Sequence, residues 1–506
     1  MPRFLPRFTL AAAALALSAI PMASGHAQSG DPAGERVGTE FMVFEADTNP
    51  QARAHFLRGL ALLHNFEYAR AAAAFRESQT SDPGFVMAYW GEAMTHNHPL
   101  WEQQDRGAAR AILARLAPTP AARAAKAGTP GEKAWLDALE TLYGEQGTKE
   151  QRDLAYLAKM RAMLAAWPED IDVHAFTGLA VLGSSHGGRQ VPIYMEAAGI
   201  LEPGFMTHQK HPGILHYLIH SYDDPVHAPL GERMAERYAV VAPDAGHAQH
   251  MVSHIFHALA DWEASEAANV KADAVVDRQR IAAGRDPADC GHYNEWLVYA
   301  RLQLGKDASD LVSACRAEAG QSAGGEIAYG PVRSYSVMAA WQAVDAGIWP
   351  EPLGEDARAF PLPRVTMTHI AALRHSNDAG ALAQAVETMR RDAEALLAQL
   401  ARMAPDDRTT MPWVERAIAQ VDAIRLLASG ERESGLVALR AAAEAEAALP
   451  TIFGPPAIAK PSYELLGEEL LKLGRKAEAA DAFRKSLAFA PGRLLSLRGL
   501  EAATQG

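Results

Sequence analysis

One pattern of small, aromatic and helix-ending residues occurs near both ends of this chain. Two sets of residues share their types and their offsets: Gly59, Ala71, Phe75 and Pro83, and Gly467, Ala479, Phe483 and Pro491. Small residues let two helices approach closely, an aromatic ring fills the gap between them, and proline ends the second helix. In a chain rich in Ala, Leu and Glu, the pattern predicts repeated pairs of antiparallel helices.

The offsets resemble those of the tetratricopeptide repeat, a helix-turn-helix unit of about 34 residues. The resemblance is clearest in residues 52–85 and 460–493. It implies an all-α fold, a tetratricopeptide-type α-solenoid whose helix pairs form a right-handed superhelix. We expect the array to cover residues 50–506. Proline-rich breaks are expected to be loops between repeats or boundaries between subdomains, at residues 117–130, 349–363 and 449–461.

The first 27 residues are typical of a secretory signal peptide. Arg3 and Arg7 precede an apolar core at 8–20, and the small residues up to Ala27 resemble a cleavage site. Residues 28–49 are expected to be an N-terminal extension, and no later stretch is apolar for long enough to span a bilayer. The sequence therefore predicts an exported protein, in the periplasm of a bacterium. The net charge of -13 and the lack of a basic run exclude a nucleic-acid partner.

Nine of the 19 histidines lie between His208 and His257, at spacings typical of one helix face. Aligned with the tetratricopeptide unit, this stretch contains repeats that begin at Pro212 and Gly246, within a histidine-rich section at 212–290. The resemblance then implies groove-facing positions for two rows of histidines: His216 and His220, and His247, His250, His254 and His257.

Neutral imidazole is the commonest metal ligand, and two histidines at i and i+4 can hold one ion. Four histidines are the main metal-ligand candidates: His216, His220, His250 and His254. Weaker candidates are His247, His257 and His292. Because no cysteine lies nearby, Zn, Cu and Fe are the ions to consider. Glu295, which the register directs toward the groove, is a weak candidate for a general base.

Other residues near these candidates have two interpretations. Asp223 and Asp224 either orient an imidazole or cap the next helix, and the sequence favours the cap slightly. His211 and three earlier histidines are more typical of structural turns. The three are His64, His96 and His98. Cys290 and Cys315 flank one predicted helix pair, so a disulfide between them is as well supported as two unpaired thiols.

The segments HPGILHYLIHSYDDP and GHAQHMVSHIFHALADW resemble a group of exported, histidine-rich bacterial tetratricopeptide proteins, which carry HPGxxHxxIH followed by HxxHMxxHI. The resemblance implies the fold and assigns no reaction. Two hypotheses follow. The groove binds a transition metal, with metal-dependent catalysis as an extension, or it is a scaffold that binds a peptide or protein without a metal. The sequence does not decide whether the protein is an enzyme.

Overall fold

The computed structural model describes residues 34–323, 326–350, 359–404 and 407–505. The chain divides into two compact units. The described part of the larger one, here the histidine-rich unit, comprises residues 34–288, 293–308 and 443–505. The second unit comprises residues 289–292 and the described residues between 309 and 442. The predicted signal peptide at 1–27 lies outside the described residues.

Helices make up nearly all of the regular structure in the described chain. The first fourteen are α1 (Pro50–His64), α2 (Tyr68–Ser81), α3 (Val86–Met94), α4 (Arg106–Leu116), α5 (Pro120–Ala124), α6 (Pro130–Leu142), α7 (Lys149–Ala166), α8 (Ile171–Leu182), α9 (Val191–Thr207), α10 (Pro212–Tyr222), α11 (Ala228–Val241), α12 (Gly246–Ala258), α13 (Trp262–Ala282) and α14 (His292–Gln303). The following six are α15 (Ser309–Ala319), α16 (Tyr329–Ala346), α17 (Pro361–Arg374), α18 (Ala379–Met403), α19 (Thr410–Ala428) and α20 (Arg432–Ala447). The last three are α21 (Ser462–Lys472), α22 (Lys476–Phe489) and α23 (Leu494–Thr504).

In the described part of the chain, extended structure is confined to two short antiparallel hairpins. The strands are β1 (Asn97–His98), β2 (Gln103–Gln104), β3 (Ser322–Ala323) and β4 (Glu326–Ile327). Asn97 pairs with Gln104, and Ser322 pairs with Ile327. Among the described residues, no helix is both long and apolar enough to cross a membrane. Because helices make up nearly all of the regular structure, the prediction of an all-α chain is confirmed.

The repeated aromatic residue sits between glycines in both terminal repeats. The Phe75 ring packs against Gly59 of α1 and Gly91 of α3, so closely that a Cβ at either glycine would overlap it. The Phe483 ring has the same relation to Gly467 of α21 and to Gly499 of α23. In both terminal repeats, the phenylalanine of the second helix thus packs against the first helix of its own pair and against the helix that follows the pair.

The predicted register of the middle repeats agrees with the helix starts. Helix α10 begins at Pro212 and α12 begins at Gly246, where the repeats were placed. Helix α14 begins at His292, and α15 follows after the turn at Gly305, which has a φ of +67°. Cys290 and Cys315 form a disulfide in the second unit, with their Cα atoms 4.7 Å apart.

The proline-rich breaks have different structures. The break at 117–130 contains the short helix α5 and ends where α6 starts, and the break at 449–461 contains no helix. The break at 349–363 includes residues 351–358, which lie outside the described residues. The N-terminal extension contributes to the core from residue 34 onward. Val37 is fully buried, and the ring of Phe44 lies 5.1 Å from that of Phe56.

We expect Gly91→Ala to lower the free energy of unfolding by about 1–2 kcal/mol, because the added methyl group overpacks the Phe75 ring. Alanine is the better helix former, so local propensity alone predicts the opposite sign. Urea unfolding followed by circular dichroism measures the change.

Gly199→Ala is the matched control, since Gly199 lies in α9 with nothing within 4 Å of the added Cβ. It should stabilise the protein by about 0.5–1 kcal/mol. Stabilisation by both substitutions would show that the Phe75 contact does not constrain the repeat.

Candidate functional site

Five histidines of α10 and α12 form a closed circuit of neighbouring rings, here called the five-histidine cluster. Their spacings of three and four residues place the side chains on one face of each helix, and the two helices belong to adjacent repeats. The centroids of successive rings are 4.8–6.2 Å apart, in the order His216, His220, His254, His250, His247 and back to His216. Four of these side chains are buried, and His247 is partly buried.

The protons of His250 and His254 are fixed by what their Nδ1 atoms contact. Nδ1 of His254 lies 2.6 Å from a carboxylate oxygen of Asp223, which can only accept. Nδ1 of His250 lies 2.7 Å from Oδ1 of Asn269. The Asn269 amide nitrogen donates to the carbonyl of Ser265 at 2.8 Å, so its oxygen is the atom that faces His250. Both histidines therefore carry their proton on Nδ1.

A neutral imidazole with a proton on Nδ1 has a lone pair on Nε2. The Nε2 atoms of His250 and His254 are 3.1 Å apart, so with both imidazoles neutral two lone pairs would face each other in a buried place. A shared proton or a metal ion would relieve this repulsion. Two nitrogens on a tetrahedral ion, each about 2.0–2.1 Å from it, are separated by about 3.3 Å. The spacing of these two atoms is close to that value.

A second set of Nε2 atoms converges around His216. Nδ1 of His216 donates to the carbonyl of His64 at 2.6 Å, which leaves Nε2 unprotonated. Nε2 of His220 lies 3.1 Å away and Nε2 of His247 lies 3.2 Å away. Each of the three residues offers one ligand atom, and these atoms all lie within 4.8 Å of one another. The buried Nδ1 of His220 has no hydrogen-bond partner among the described residues.

Burial favours the neutral form of His216 and His220. It lowers the pKa of His216 to about 3, although the hydrogen bond to His64 acts in the opposite direction. Burial also lowers the pKa of His220 well below its usual value, and the neighbouring histidines and Arg189 add to this effect. Metal ions bind the neutral form of imidazole, so neither histidine has to lose a proton near pH 7 before it can act as a ligand.

Three aromatic side chains cover the cluster, and sequence reasoning assigned none of them to the site. The Trp296 ring of α14 lies 4.3 Å from that of His254. Phe453 lies 6.1 Å from His220 and 6.3 Å from His254. It belongs to the proline-rich segment 449–461, here called the strap. The third ring is that of Phe66, 4.3 Å from His216.

A further buried group of titratable side chains, His64, Asp172 and His211, has a different character. Nε2 of His64 donates to Asp172 at 2.9 Å, and Nε2 of His211 lies 3.3 Å from the same oxygen. Burial opposes ionisation of Asp172, but these two imidazoles hold the pKa of the carboxyl well below its usual range. Both Nε2 atoms thus face a carboxylate rather than another imidazole. The group ties α1, α8 and α10 together, in agreement with the structural role predicted for His64 and His211.

The remaining candidates are His257, His292 and Glu295. His257 packs against three aromatic rings: Trp262, Trp296 and Tyr299. His292, the exposed first residue of α14, belongs to the second unit. Glu295 is buried on α14 next to Trp296, and its role as a base stays a prediction.

The two adjacent aspartates, Asp223 and Asp224, have different roles. Asp224 accepts hydrogen bonds from the backbone nitrogens of Val226 and His227 before α11, and it pairs with Arg189 at 2.8 Å. This is the helix-start role that the sequence favours. Asp223 instead accepts the hydrogen bond from His254, so it orients an imidazole.

The comparisons with known proteins support the repeat architecture. Residues 461–493, which contain α21 and α22, match the family model for the tetratricopeptide repeat. This range lies within residues 460–493, where the sequence pattern is clearest. No curated protein matches the chain. The prediction of a tetratricopeptide-type protein is thus confirmed for the fold.

Solved structures that are similar include Cut9 from the APC/C hetero-tetramer Cut9–Hcn1, at 12% identity over 91% of this chain and 78% of that one, with a TM-score of 0.35. Human IFIT1, a dimer with m7Gppp-AAAA, has 12% identity over 93% and 94% of the chains and a TM-score of 0.34. Yeast Tom70 has 10% identity over 90% and 88%, with a TM-score of 0.31. Scores this low support no inference about function.

We expect the metal-free protein to lose stability as the pH falls from 6.5 toward 4. Burial lowers the pKa of His64 to about 4 and that of His257 to about 3. An unfolded histidine titrates near pH 6.5, so in this window the unfolded chain binds more protons than the folded chain. Each such group should cost about 1–2 kcal/mol between pH 7.5 and pH 5.

Urea unfolding at the two pH values measures this loss. In His257→Gln one titrating group is removed, so the difference between the two pH values should shrink. An equal loss in wild type and variant would show that His257 is not the neutral, buried group that its position indicates.

Proposed function

We propose that the five-histidine cluster binds a transition-metal ion through Nε2 atoms. The observation that carries this proposal is the pair of facing Nε2 atoms of His250 and His254, each of which has its proton on Nδ1. The unprotonated Nε2 of His216, with two more Nε2 atoms close to it, supports the same conclusion. Zn, Cu and non-haem Fe are the ions that accept such nitrogen ligands.

The surroundings of the cluster suit a bound ion. The contact of Asp223 with His254 and that of Asn269 with His250 orient the two imidazoles, as acceptors around metal sites do. Three nitrogen ligands leave a coordination position open, where an ion can polarise a bound molecule. Metal-dependent catalysis is therefore part of the proposal, and Glu295 is its candidate general base. The structure assigns no substrate.

We also propose that the protein works in an oxidising compartment outside the cytoplasm. The predicted signal peptide at 1–27 and the disulfide between Cys290 and Cys315 support this location. In such a compartment the described cysteines are not available as thiolate ligands. An ion at the cluster would then depend on nitrogen ligands.

Residues 28–506, purified without a histidine tag, should contain a near-stoichiometric metal by elemental mass spectrometry. The quadruple variant His216→Ala, His220→Ala, His250→Ala and His254→Ala should lose it while remaining helical by circular dichroism. The matched control replaces three histidines outside the cluster with alanine: His55, His208 and His375. It should keep the metal.

A wild-type protein that contains no metal, and whose melting temperature does not change with added Zn²⁺, Cu²⁺ or Fe²⁺, would refute the proposal. The remaining function would be the scaffold, a groove that binds a peptide or protein. In that case His250→Ala and His254→Ala should weaken capture of the partner with no metal involved.

Asp223→Ala should weaken metal binding by about 10–100-fold, because the imidazole of His254 loses the acceptor that orients it. Asp223→Asn should have a smaller effect, since its amide oxygen can still accept from Nδ1. Competition with a coloured chelator measures both affinities. Equal affinities in wild type and Asp223→Ala would show that His254 is not a ligand.

A further inference from the structure

In the described part of the chain, six helices end with the same backbone turn. In each, an N–H donates to the carbonyl five residues earlier: Glu67 to Leu62, Asp261 to Phe256, Arg285 to Arg280, Lys306 to Arg301, Glu431 to Leu426 and Arg475 to Leu470. This bond belongs to the Schellman motif, which needs a left-handed residue just before the donor. The residues in that position have positive φ values: Phe66 at 56°, Ala260 at 59°, Gly284 at 70°, Gly305 at 67°, Gly430 at 86° and Gly474 at 73°.

Glycine is the residue that this position favours, because a Cβ strains a left-handed backbone. A large aromatic residue there is unusual, and four of these six turns do use glycine. Strain of this kind persists only where the surroundings hold it, and it concentrates at functional sites. The conformation of Phe66 therefore raises the question of what its ring does.

The Phe66 ring lies over the three-histidine set of the cluster. Its centroid is 4.3 Å from that of His216, 5.5 Å from that of His247 and 6.0 Å from that of His220. It also contacts Tyr68 and the half-exposed Trp101, at 5.4 and 5.6 Å. The ring thus packs against both the buried histidines and an aromatic residue that reaches solvent.

The rest of the same turn also acts on the cluster. The carbonyl of His64 accepts the proton of His216 Nδ1. Oδ1 of Asn65 accepts from the hydroxyl of Tyr238, whose ring stacks on His216 at 5.4 Å. Glu67 accepts from the backbone nitrogen of His247 at 3.4 Å. All four residues of the turn thus hold or support a histidine of this set.

We propose that Phe66 is a positioning residue, whose ring seals one face of the His216, His220 and His247 set against water and fixes the imidazoles in place. From this strained turn, the side chain reaches all three rings. This inference rests on the proposed function for its effect on metal binding. The sealing of the histidines does not need an ion.

The test compares Phe66→Gly with Ala260→Gly, which relieves strain at the same turn position without touching the cluster. Metal-free full-length chains are treated with diethyl pyrocarbonate, and labelling of each histidine is followed by mass spectrometry. In Phe66→Gly the labelling rates of His216 and His220 should rise severalfold. His254, on the side covered by Trp296 and Phe453, should keep its wild-type rate and report an intact fold.

Ala260→Gly should label as wild type does, and Phe66→Tyr, which keeps the ring, should restore protection. Phe66→Gly should also bind Zn²⁺ about 10–100-fold more weakly than wild type does. Unchanged labelling of His216 in Phe66→Gly, or an equal rise in Ala260→Gly, would overturn the inference. A wild-type chain that takes up no Zn²⁺ would refute the proposed function alone, since the labelling comparison still decides the role of Phe66.

Discussion

The hydrogen bond from Nδ1 of His216 to the carbonyl of His64 joins the first repeat to the histidine-rich repeats. It fixes the proton of His216, and so it determines which nitrogen of that imidazole can hold an ion. The carbonyl is available because the α1–α2 turn leaves it outside the helical hydrogen bonds. His64 is itself held by Asp172 and Tyr217. The candidate site therefore depends on a turn more than 150 residues away in sequence.

Two kinds of buried histidine occur in the histidine-rich unit. Their degree of burial is similar, and they differ in what their nitrogens contact. His64 and His211 face a carboxylate, and Nε2 of His64 donates to it. His216, His250 and His254 turn their N–H groups outward to a carbonyl, an amide and a carboxylate. Their unprotonated nitrogens consequently converge. The first arrangement ties helices together, whereas the second is typical of a place for a cation.

Helical spacing and the tetratricopeptide offsets were sufficient to predict the helix starts at Pro212 and Gly246, and with them the convergence of the two histidine rows. They could not predict the partners that fix the protons. Asn269 is an ordinary polar residue of α13, and Phe453 lies in a segment that reads only as a proline-rich loop. Phe66 occupies a position where local preference favours glycine. Each of these depends on contacts between distant segments, which periodicity does not contain.

The strap has a consequence for the order in which the site is assembled. Phe453 leaves the ribosome about 200 residues after His254, roughly 10 to 40 seconds later at typical rates of synthesis. Helices α10 and α12 are therefore made well before the segment that covers them. The same order holds when the chain is exported, so an ion can reach these histidines before the strap has folded over His220 and His254. Loss of the ion from the folded chain then starts from a covered site, so uptake and loss need not follow the same path.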